Sequence, residues 1–285
     1  MSGLPRFPDP AYPLGANPSF VDLVRTLEAP TGARDRVAAA PGPLGEVAHG
    51  TTVLAAKFAD GVVMAADRRA TEGYAIADER IEKVFPADDH SVVAIAGVAG
   101  QATEIVKLFQ TELEHYEKVE GERISLEGKA NRLAQMIRGN LPMAMQGLVV
   151  VPLFAGYDLA SREGRIFRYD VTGGRWEEAD FHANGSGGVY ARGTLKKRWR
   201  RGLSRAEAIR VAVEALYDAS QEDVATGGPN VHRGIFPSVK VVSVEGVHTV
   251  DDDELQAAFE AIVGASAESH KPVGASGARE AEEQS

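Results

Sequence analysis

The pattern of apolar residues predicts β-strands directly after residue 50. Residues 51–58 (TTVLAAKF) and 62–67 (VVMAAD) are rich in apolar and β-branched residues, and Ala59-Asp60-Gly61 between them is a turn signal. Two such runs joined by a short Asp-Gly turn predict a β-hairpin. Further runs of this kind predict strands at 82–85, 91–96, 149–157, 165–170, around Phe181 and at 238–244.

Helical periodicity follows the strands twice along the chain. Apolar residues that recur every three or four positions predict helices at 101–118, 126–145, 189–198, 204–220 and 252–263. The apolar face of the first helix contains Ile105, Phe109, Leu113 and Tyr116. Pro142 is expected to kink or shorten the second helix. Strands, two helices, strands, two helices and a strand predict helices packed over two sheets, an α+β sandwich and not a wound βαβ fold.

The two ends of the chain differ from this middle part. Eight of the fourteen prolines fall within residues 1–50, and proline disfavours helix both at its own position and at the residue before it. Residues 265–285 contain no leucine, isoleucine, phenylalanine, tyrosine or tryptophan, which predicts a disordered tail. We therefore expect one packed domain at 51–264 between an extended N-terminal segment and this tail.

Composition excludes several classes of chemistry. The chain of 285 residues has no cysteine, which excludes a disulfide scaffold, a thiolate-bound metal, an iron–sulfur cluster and a cysteine nucleophile. Its seven histidines have no metal-ligand spacing, and the aspartates at 251–253 fit the start of a helix better than a metal site. The sequence also contains no phosphate-binding loop and no dinucleotide-binding motif.

Charge and hydropathy limit the partners. A net charge of −10 argues against nucleic acid, although the basic run at 196–201 (KKRWRR) leaves a nucleic-acid patch as an alternative, which salt-dependent retention on DNA would reveal. The same run suits the end of a helix, where the dipole favours cations. No apolar run approaches the ~20 residues of a membrane span, and no secretory signal is visible. We expect a cytoplasmic protein without membrane contact.

Candidate chemistry lies where the proline-rich segment meets the packed domain. Gly50 precedes Thr51 at this junction. If the Gly50–Thr51 bond were cut, Thr51 would carry both a hydroxyl and a free α-amine. An α-amine has an ordinary pKa of about 7.7–8, so near neutral pH it can accept the hydroxyl proton. One residue would then supply nucleophile and base, the N-terminal-threonine variant of a catalytic triad.

Two charged residues could support this nucleophile. Asp67 ends the second predicted strand, and Lys83 is predicted to lie in the next one. Strand alternation places Ile81, Lys83 and Phe85 on one face, so that the lysine is flanked by apolar side chains. A buried lysine beside the amine favours the neutral, basic amine, and Asp67 would keep the lysine charged. A turn aspartate and an edge-strand lysine are the alternatives.

These residues resemble the start of mature proteasome β subunits. The resemblance covers residues 45–264 and is closest to the actinobacterial type. It is carried by spaced motifs in the family's order: Gly50-Thr51-Thr52-Val53, Asp67-Arg68-Arg69-Ala70-Thr71, Glu82-Lys83-Val84-Phe85, Ala94-Ile95-Ala96-Gly97, residues 183–187 (ANGSG), 217–229 (YDASQEDVATGGP) and 233–237 (RGIFP). The segments 112–121 and 138–147 and the proline-rich extension indicate the actinobacterial type.

The resemblance implies a four-layer αββα sandwich of the N-terminal-nucleophile hydrolase type and a role for each site residue. Thr51 would be the nucleophile, with Asp67 and Lys83 as its charge partners. The resemblance makes Ser186 and Asp223 a supporting pair near the amine and the Gly97 N–H the oxyanion donor. It implies a substrate site formed by Ala70, Thr71, Ile81, Phe85, Ile95, Ala99 and Thr103. This lining is mostly apolar, which predicts cleavage after hydrophobic residues. Thr226 departs from the serine of many relatives but keeps a hydroxyl.

The resemblance also implies a maturation step and an assembly. Residues 1–50 would be a propeptide that is removed when Thr51 attacks the Gly50 carbonyl. The mature chain would be a threonine endopeptidase without cofactor, stacked in heptameric β rings between rings of α subunits. A ring-shaped ATPase would deliver unfolded, tagged protein substrates.

Two other functions remain open within the family. The chain could be a non-catalytic structural β-type subunit, against which the joint presence of Thr51, Asp67 and Lys83 argues. It could also be the shorter bacterial two-ring relative, whose chains lack the long propeptide.

Overall fold

Two five-stranded antiparallel sheets form the centre of the computed structural model, which describes residues 50–72 and 75–269. The strands in chain order are β1 Thr52–Phe58, β2 Gly61–Ala66, β3 Ala70–Glu72, β4 Ala75–Asp78, β5 Val84–Asp88, β6 Ser91–Gly97, β7 Val150–Asp158, β8 Glu163–Tyr169, β9 Arg175–Glu178, β10 Phe181–Gly185, β11 Ser238–Ser243 and β12 Gly246–Thr249. The first sheet has the order β10-β1-β2-β11-β12, and the second has the order β5-β6-β7-β8-β9. Strands β3 and β4 form a separate small hairpin.

Helices cover the outer face of each sheet. They are α1 Ala99–Glu120, α2 Leu126–Gly139, α3 Leu141–Ala144, α4 Gly188–Arg198, α5 Arg205–Glu222 and α6 Asp252–Ser269, with a 3₁₀ turn at Val231–Arg233. Helices α1 and α2 pack on the second sheet, α4 and α5 pack on the first, and α6 packs against α5. The result is the four-layer αββα sandwich.

Alternation along the strands produces three apolar cores. On β1, Val53 and Ala55 face the core between the two sheets, whereas Leu54 and Ala56 face the core under α4 and α5. A third core, around Phe109, lies between the second sheet and helices α1 and α2. Because β1 and β2 are buried on both faces, they consist almost entirely of apolar residues.

The hairpin and the helix pairs predicted from the sequence are present, with boundaries that differ by a few residues. The second predicted helix ends at Gly139, and the separate turn α3 carries Pro142 near its start, in keeping with the predicted interruption. Helix α5 begins with the Ser204–Glu207 capping box, in which each side chain bonds the other residue's backbone N–H.

Four sequence expectations need correction. Lys83 lies just before β5, which begins at Val84, and not within a strand. Tyr116 was placed on the buried face of the first helix, but it is 39% exposed. Helix α6 continues to Ser269, five residues into the segment predicted to be disordered. The short strands β3, β4, β9 and β12 were not predicted. The domain boundaries at 50/51 and 264/265 stay predictions, and residues 1–49 and 270–285 lie outside the described residues.

None of the helices within residues 50–72 and 75–269 is both long and apolar enough to cross a bilayer.

Candidate active site

Thr51 lies at the entrance to β1 and is almost completely buried. Its carbonyl accepts a hydrogen bond from the Ser186 N–H at 3.0 Å, which ties it to the end of β10. The neighbouring Gly185 has a φ of +95°, and a Cβ at this position would stand 1.7 Å from the Thr51 carbonyl oxygen. Only glycine permits this approach, and the backbone of Thr51 is therefore fixed between β1 and β10.

Asp67 is fully buried and connects three segments of the site. Its Oδ1 accepts hydrogen bonds from the Thr52 N–H and from Lys83 Nζ, each at 2.8 Å. Its Oδ2 accepts from the N–H groups of Arg69 at 2.9 Å and Gly227 at 3.0 Å. All four partners are donors, which is the surrounding that a buried carboxylate requires.

Lys83 is held in place by two acceptors. Its Nζ donates to Asp67 Oδ1 and, at 2.7 Å, to the Arg69 carbonyl, and 7% of its side chain is exposed. Burial lowers the pKa of Lys83 below its usual range, the charge of Asp67 opposes this effect, and the nearby Arg69 lowers the pKa further. Lys83 and Thr51 line the same cavity.

A second group of polar residues contains Ser186, Asp223 and Thr226. Ser186 Oγ donates to Asp223 Oδ2 at 2.5 Å, and Thr226 Oγ1 donates to the same oxygen at 2.6 Å. The Thr226 hydroxyl is also 2.7 Å from the hydroxyl of Thr52. The predicted pair Ser186–Asp223 is therefore in contact, and Thr226 connects it to β1.

Gly97 ends β6 with a φ of +133°, and a Cβ here would meet the Val149 carbonyl oxygen at 2.1 Å. The strand register fixes the direction of its N–H. Val98 donates to β7 through Val149, whereas Ile95 donates to the Lys83 carbonyl on the β5 side. Because donors alternate along a strand, the Gly97 N–H faces the β5 side, where Lys83 lies.

A small cavity of about 40 Å³ adjoins Thr51, Lys83 and Gly97. Five residues of the predicted substrate site line it: Ala70, Ile81, Phe85, Ile95 and Thr103. Thr71 lies instead on β3, where it pairs with Ile76, and Ala99 is the first residue of α1. Arg69, Glu82 and Ala102 also line the cavity and were not predicted.

Comparison with known proteins gives the site its context. Residues 47–233 match the family model described as proteasome subunit. A curated relative named proteasome subunit beta, from Acidimicrobium ferrooxidans, is 58% identical over 254 residues, which are 89% of this chain and 90% of the relative. The chain belongs to the proteasome β-subunit family.

Two further relatives carry the same name. The proteasome subunit beta of Frankia casuarinae is 56% identical over 78% of this chain and 81% of its own length. That of Acidothermus cellulolyticus is 54% identical over 91% of both chains. The resemblance to actinobacterial proteasome β subunits and the αββα fold that it implied are thereby confirmed.

Some residues of this proteasome β-subunit site were not found from the sequence. Thr52 contributes its N–H to Asp67 and its hydroxyl to Thr226, and the N–H groups of Gly227 and Gly187 complete the two polar groups. Thr52 could have been suspected as a polar residue at the start of a mostly apolar strand. Gly187 and Gly227 act through their backbone N–H groups, so their side chains give no indication of this role in the sequence.

The basic run at 196–201 is part of the fold of this proteasome β subunit. Lys196, Lys197 and Arg198 form the last turn of α4, as the helix-end interpretation predicted. Trp199 donates its indole N–H to the Lys57 carbonyl at 2.7 Å. Arg198 and Arg200 form ion pairs with glutamates of α5. These contacts give the run a structural role.

Proposed function

We propose that this chain is a catalytic β subunit of a 20S proteasome core, a threonine endopeptidase whose active form begins at Thr51. The observation that carries the proposal is the buried Lys83–Asp67 ion pair, whose lysine lines the same cavity as Thr51. Lys83 is buried, bonded to Asp67 and placed in the cavity that Thr51 lines. Packing alone does not explain a buried charged pair next to a threonine at the start of a strand, and charged groups with perturbed pKa values cluster at functional sites.

The mature N-terminus supplies the base. In the precursor the Thr51 nitrogen is an amide and cannot accept a proton. Once it is free, the amine accepts the proton from Thr51 Oγ as this oxygen attacks a substrate carbonyl carbon. The positive charge of Lys83 favours the neutral amine, and Asp67 keeps that charge in place.

The remaining steps follow from the same groups. The Gly97 N–H stabilises the oxygen anion of the tetrahedral intermediate, and the protonated amine passes its proton to the leaving nitrogen as the peptide bond breaks. This leaves an ester on Thr51 Oγ. Water then attacks the ester with the amine as base, which releases the second product and restores the hydroxyl.

Release of residues 1–50 would use the same nucleophile but not the amine as base, because the Thr51 nitrogen is still an amide in the precursor. Gly50 is buried, and a Cβ there would lie 1.7 Å from the Ala225 Cβ, so its backbone sits directly against the 223–228 loop. Gly50 also lines the cavity that holds Lys83 and Gly97. Attack of Thr51 Oγ on the Gly50 carbonyl carbon would form the C–O bond of an ester and break the C–N bond, while the hydroxyl proton passes to the Thr51 nitrogen, which becomes the free amine. Water would then hydrolyse the ester and release residues 1–50.

Substrates are proposed to bind beside this cavity as an added strand. An extended peptide can pair its backbone with the sheet edge and place one side chain in the cavity. Because Ala70, Ile81, Phe85, Ile95 and Ala102 line the cavity, we propose cleavage after hydrophobic residues.

Family membership implies assembly with other proteasome subunits. We further propose heptameric β rings stacked between α rings, in the cytoplasm, with a ring-shaped ATPase that supplies unfolded, tagged proteins. A non-catalytic structural β-type subunit is the alternative. The three relatives, all named proteasome subunit beta, favour this family over the shorter two-ring protease.

The N-terminus of the chain in assembled, peptide-cleaving particles tests the proposal. We expect Edman or mass-spectrometric sequencing to find Thr51 first. A Thr51→Ala chain should keep residues 1–50, assemble and cleave no peptide. Active particles in which the chain still begins near Met1 would overturn the mechanism, and inactive wild-type particles would favour the structural subunit.

A further inference from the structure

Thr52, the residue after the nucleophile, is the polar exception on its face of β1. Leu54, Ala56 and Phe58 share this face and pack in the core under α4 and α5. Thr52 is fully buried beside them. Because side chains alternate along a strand, Thr52 points to the helix side and Thr51 to the opposite side, where Lys83 lies. A valine would fill this position with the same shape, so the hydroxyl needs a reason of its own.

The hydrogen bonds around Thr52 fix the direction of each proton. Thr226 Oγ1 donates its single proton to Asp223 Oδ2, since a carboxylate only accepts. Thr52 must therefore donate in its 2.7 Å contact with Thr226. The Thr52 oxygen in turn accepts from the Gly187 N–H at 3.0 Å. Protons thus point one way, from Gly187 through Thr52 and Thr226 to Asp223, and such chains strengthen cooperatively.

The approach of Gly187 shows how closely this chain of hydroxyls is packed. A Cβ at Gly187 would lie 2.4 Å from the Thr52 hydroxyl oxygen and 2.6 Å from that of Thr226. Gly187 follows Ser186, whose N–H holds the Thr51 carbonyl. The Thr52 hydroxyl is therefore bonded to the segment that fixes the nucleophile's backbone.

Thr52 also forms hydrogen bonds with Asp67, the partner of Lys83. Its N–H donates to Asp67 Oδ1 at 2.8 Å, and its carbonyl accepts from the Asp67 N–H at 3.1 Å. Lys83 bonds the same Oδ1. Thr52 thus touches the Asp67–Lys83 pair through its backbone and the Asp223–Ser186 pair through its hydroxyl, by way of Thr226.

We propose that Thr52 is a positioning residue for the Thr51 reaction, which couples the carboxylate of Asp67 to that of Asp223. This inference rests on the proposed threonine-peptidase function. Thr52 does not line the cavity, so its hydroxyl acts on the alignment of Thr51 and not on substrate binding. Loss of the hydroxyl should therefore lower kcat and leave KM nearly unchanged.

The test compares single-atom changes in assembled particles. Thr52→Val removes the hydroxyl and keeps the shape, whereas Thr52→Ser keeps the hydroxyl. Thr194→Val is the matched control, because Thr194 is also buried and donates its hydroxyl to a carboxylate, Asp218, at 2.5 Å between α4 and α5. Peptide hydrolysis is normalised to the Thr51 sites that react with a threonine-directed β-lactone.

We expect Thr52→Val to lower kcat per reactive site roughly 10- to 100-fold, the loss that a small misplacement of reacting groups causes, with KM within about 2-fold of wild type. Thr52→Ser should retain kcat within about 3-fold, and Thr194→Val should match wild type. A Thr226→Val change should cause a similar loss of kcat. The double variant Thr52→Val/Thr226→Val should lose no more kcat than either single variant, because both changes interrupt the same series of hydrogen bonds.

Several outcomes would overturn the proposal: wild-type kcat in Thr52→Val, an equal loss in Thr52→Ser, or additive losses in the double variant. If Thr52→Val yields no mature particle, the rate of Gly50–Thr51 cleavage is measured on the full chain. This rate should be reduced in Thr52→Val and equal to the wild-type rate in Thr52→Ser. Equal slowing of both would assign Thr52 a folding role only. Inactive wild-type particles would instead contradict the proposed function, which separates the two failures.

Discussion

Asp67 Oδ1 lies 2.8 Å from Lys83 Nζ, and the two side chains are 0% and 7% exposed. A charged pair so completely removed from water contributes little net stability, because desolvation offsets the attraction, but loss of one partner leaves an uncompensated buried charge. We therefore expect the pair to affect both the stability of the fold and the reactivity of Thr51.

Lys83→Met should separate these two effects when it is compared with a second buried pair. It removes the cation and leaves Asp67 buried, so we expect a loss of about 3–5 kcal/mol in unfolding free energy and a fall in kcat on the order of 100- to 10,000-fold. Denaturant unfolding and peptide hydrolysis measure the two quantities.

Lys129→Met is the matched control for this change. Lys129 is buried to the same degree and paired with Asp88, but it lies on α2, outside the cavity beside Thr51. It should lose comparable stability and keep kcat. Equal losses of kcat in both variants would assign Lys83 a purely structural role.

The pKa of Lys83 predicts how stability changes with pH. Burial lowers this pKa below the ordinary 10.5. Between the folded and the unfolded pKa the unfolded chain binds more protons, so the free energy of unfolding rises with pH in that window. The slope is at most about 1.4 kcal/mol per pH unit for one group.

Comparison with Lys83→Met isolates this contribution from other alkaline titrations. The wild-type free energy of unfolding, minus that of the variant, should increase as the pH approaches 10.5 and stay constant below the folded pKa of Lys83. Urea unfolding from pH 7 to 10.5 measures it. A difference that decreases with rising pH would mean that Asp67 raises the pKa by more than burial lowers it.

The contact of Gly50 with Ala225 predicts a defect in maturation that a second change relieves. A methyl group at residue 50 would collide with the Ala225 Cβ at 1.7 Å and with its Cα at 2.8 Å. Gly50→Ala should displace the scissile bond and slow cleavage at least about 10-fold, since reacting groups must align closely. Cleavage is followed by mass spectrometry of the full chain.

Ala225→Gly removes the nearest atom of this collision. The double variant Gly50→Ala/Ala225→Gly should therefore recover part of the cleavage rate, and Ala225→Gly alone should cleave nearly as wild type. No recovery in the double variant would show that Gly50 acts through its backbone freedom and not through this contact.

The sequence predicted the parts of the site that local chemistry determines. The β1–β2 hairpin follows from two apolar and β-branched runs and the Asp60-Gly61 turn between them, and apolar flanking residues pointed to Lys83. Lys83 lies outside a strand, yet Ile81, Lys83 and Phe85 still line one cavity. The four-layer arrangement followed from the resemblance and not from periodicity alone.

Tertiary contacts explain what the sequence did not predict. Thr52 and Thr226 are 174 residues apart, and only folding brings their hydroxyls together. Strand β4 is exposed along its whole length, so it has no apolar alternation to detect. Gly227 and Gly187 act through backbone N–H groups, which every residue except proline has, and so their identity carries no sign of the role.

The lining of the cavity predicts substrate preference. Ala70, Ile81, Phe85, Ile95 and Ala102 present apolar surface, and a buried carboxylate or guanidinium of a substrate would pay a large desolvation cost there. In a fluorogenic panel that differs only at the residue before the cleaved bond, leucine and phenylalanine should exceed aspartate and arginine in kcat/KM at least about 10-fold. Phe85→Ala enlarges the cavity and should shift the preference towards phenylalanine over leucine, whereas Phe181→Ala, on β10 and outside the cavity, should not. Faster cleavage after charged residues, or the same shift in both variants, would contradict this assignment of the cavity.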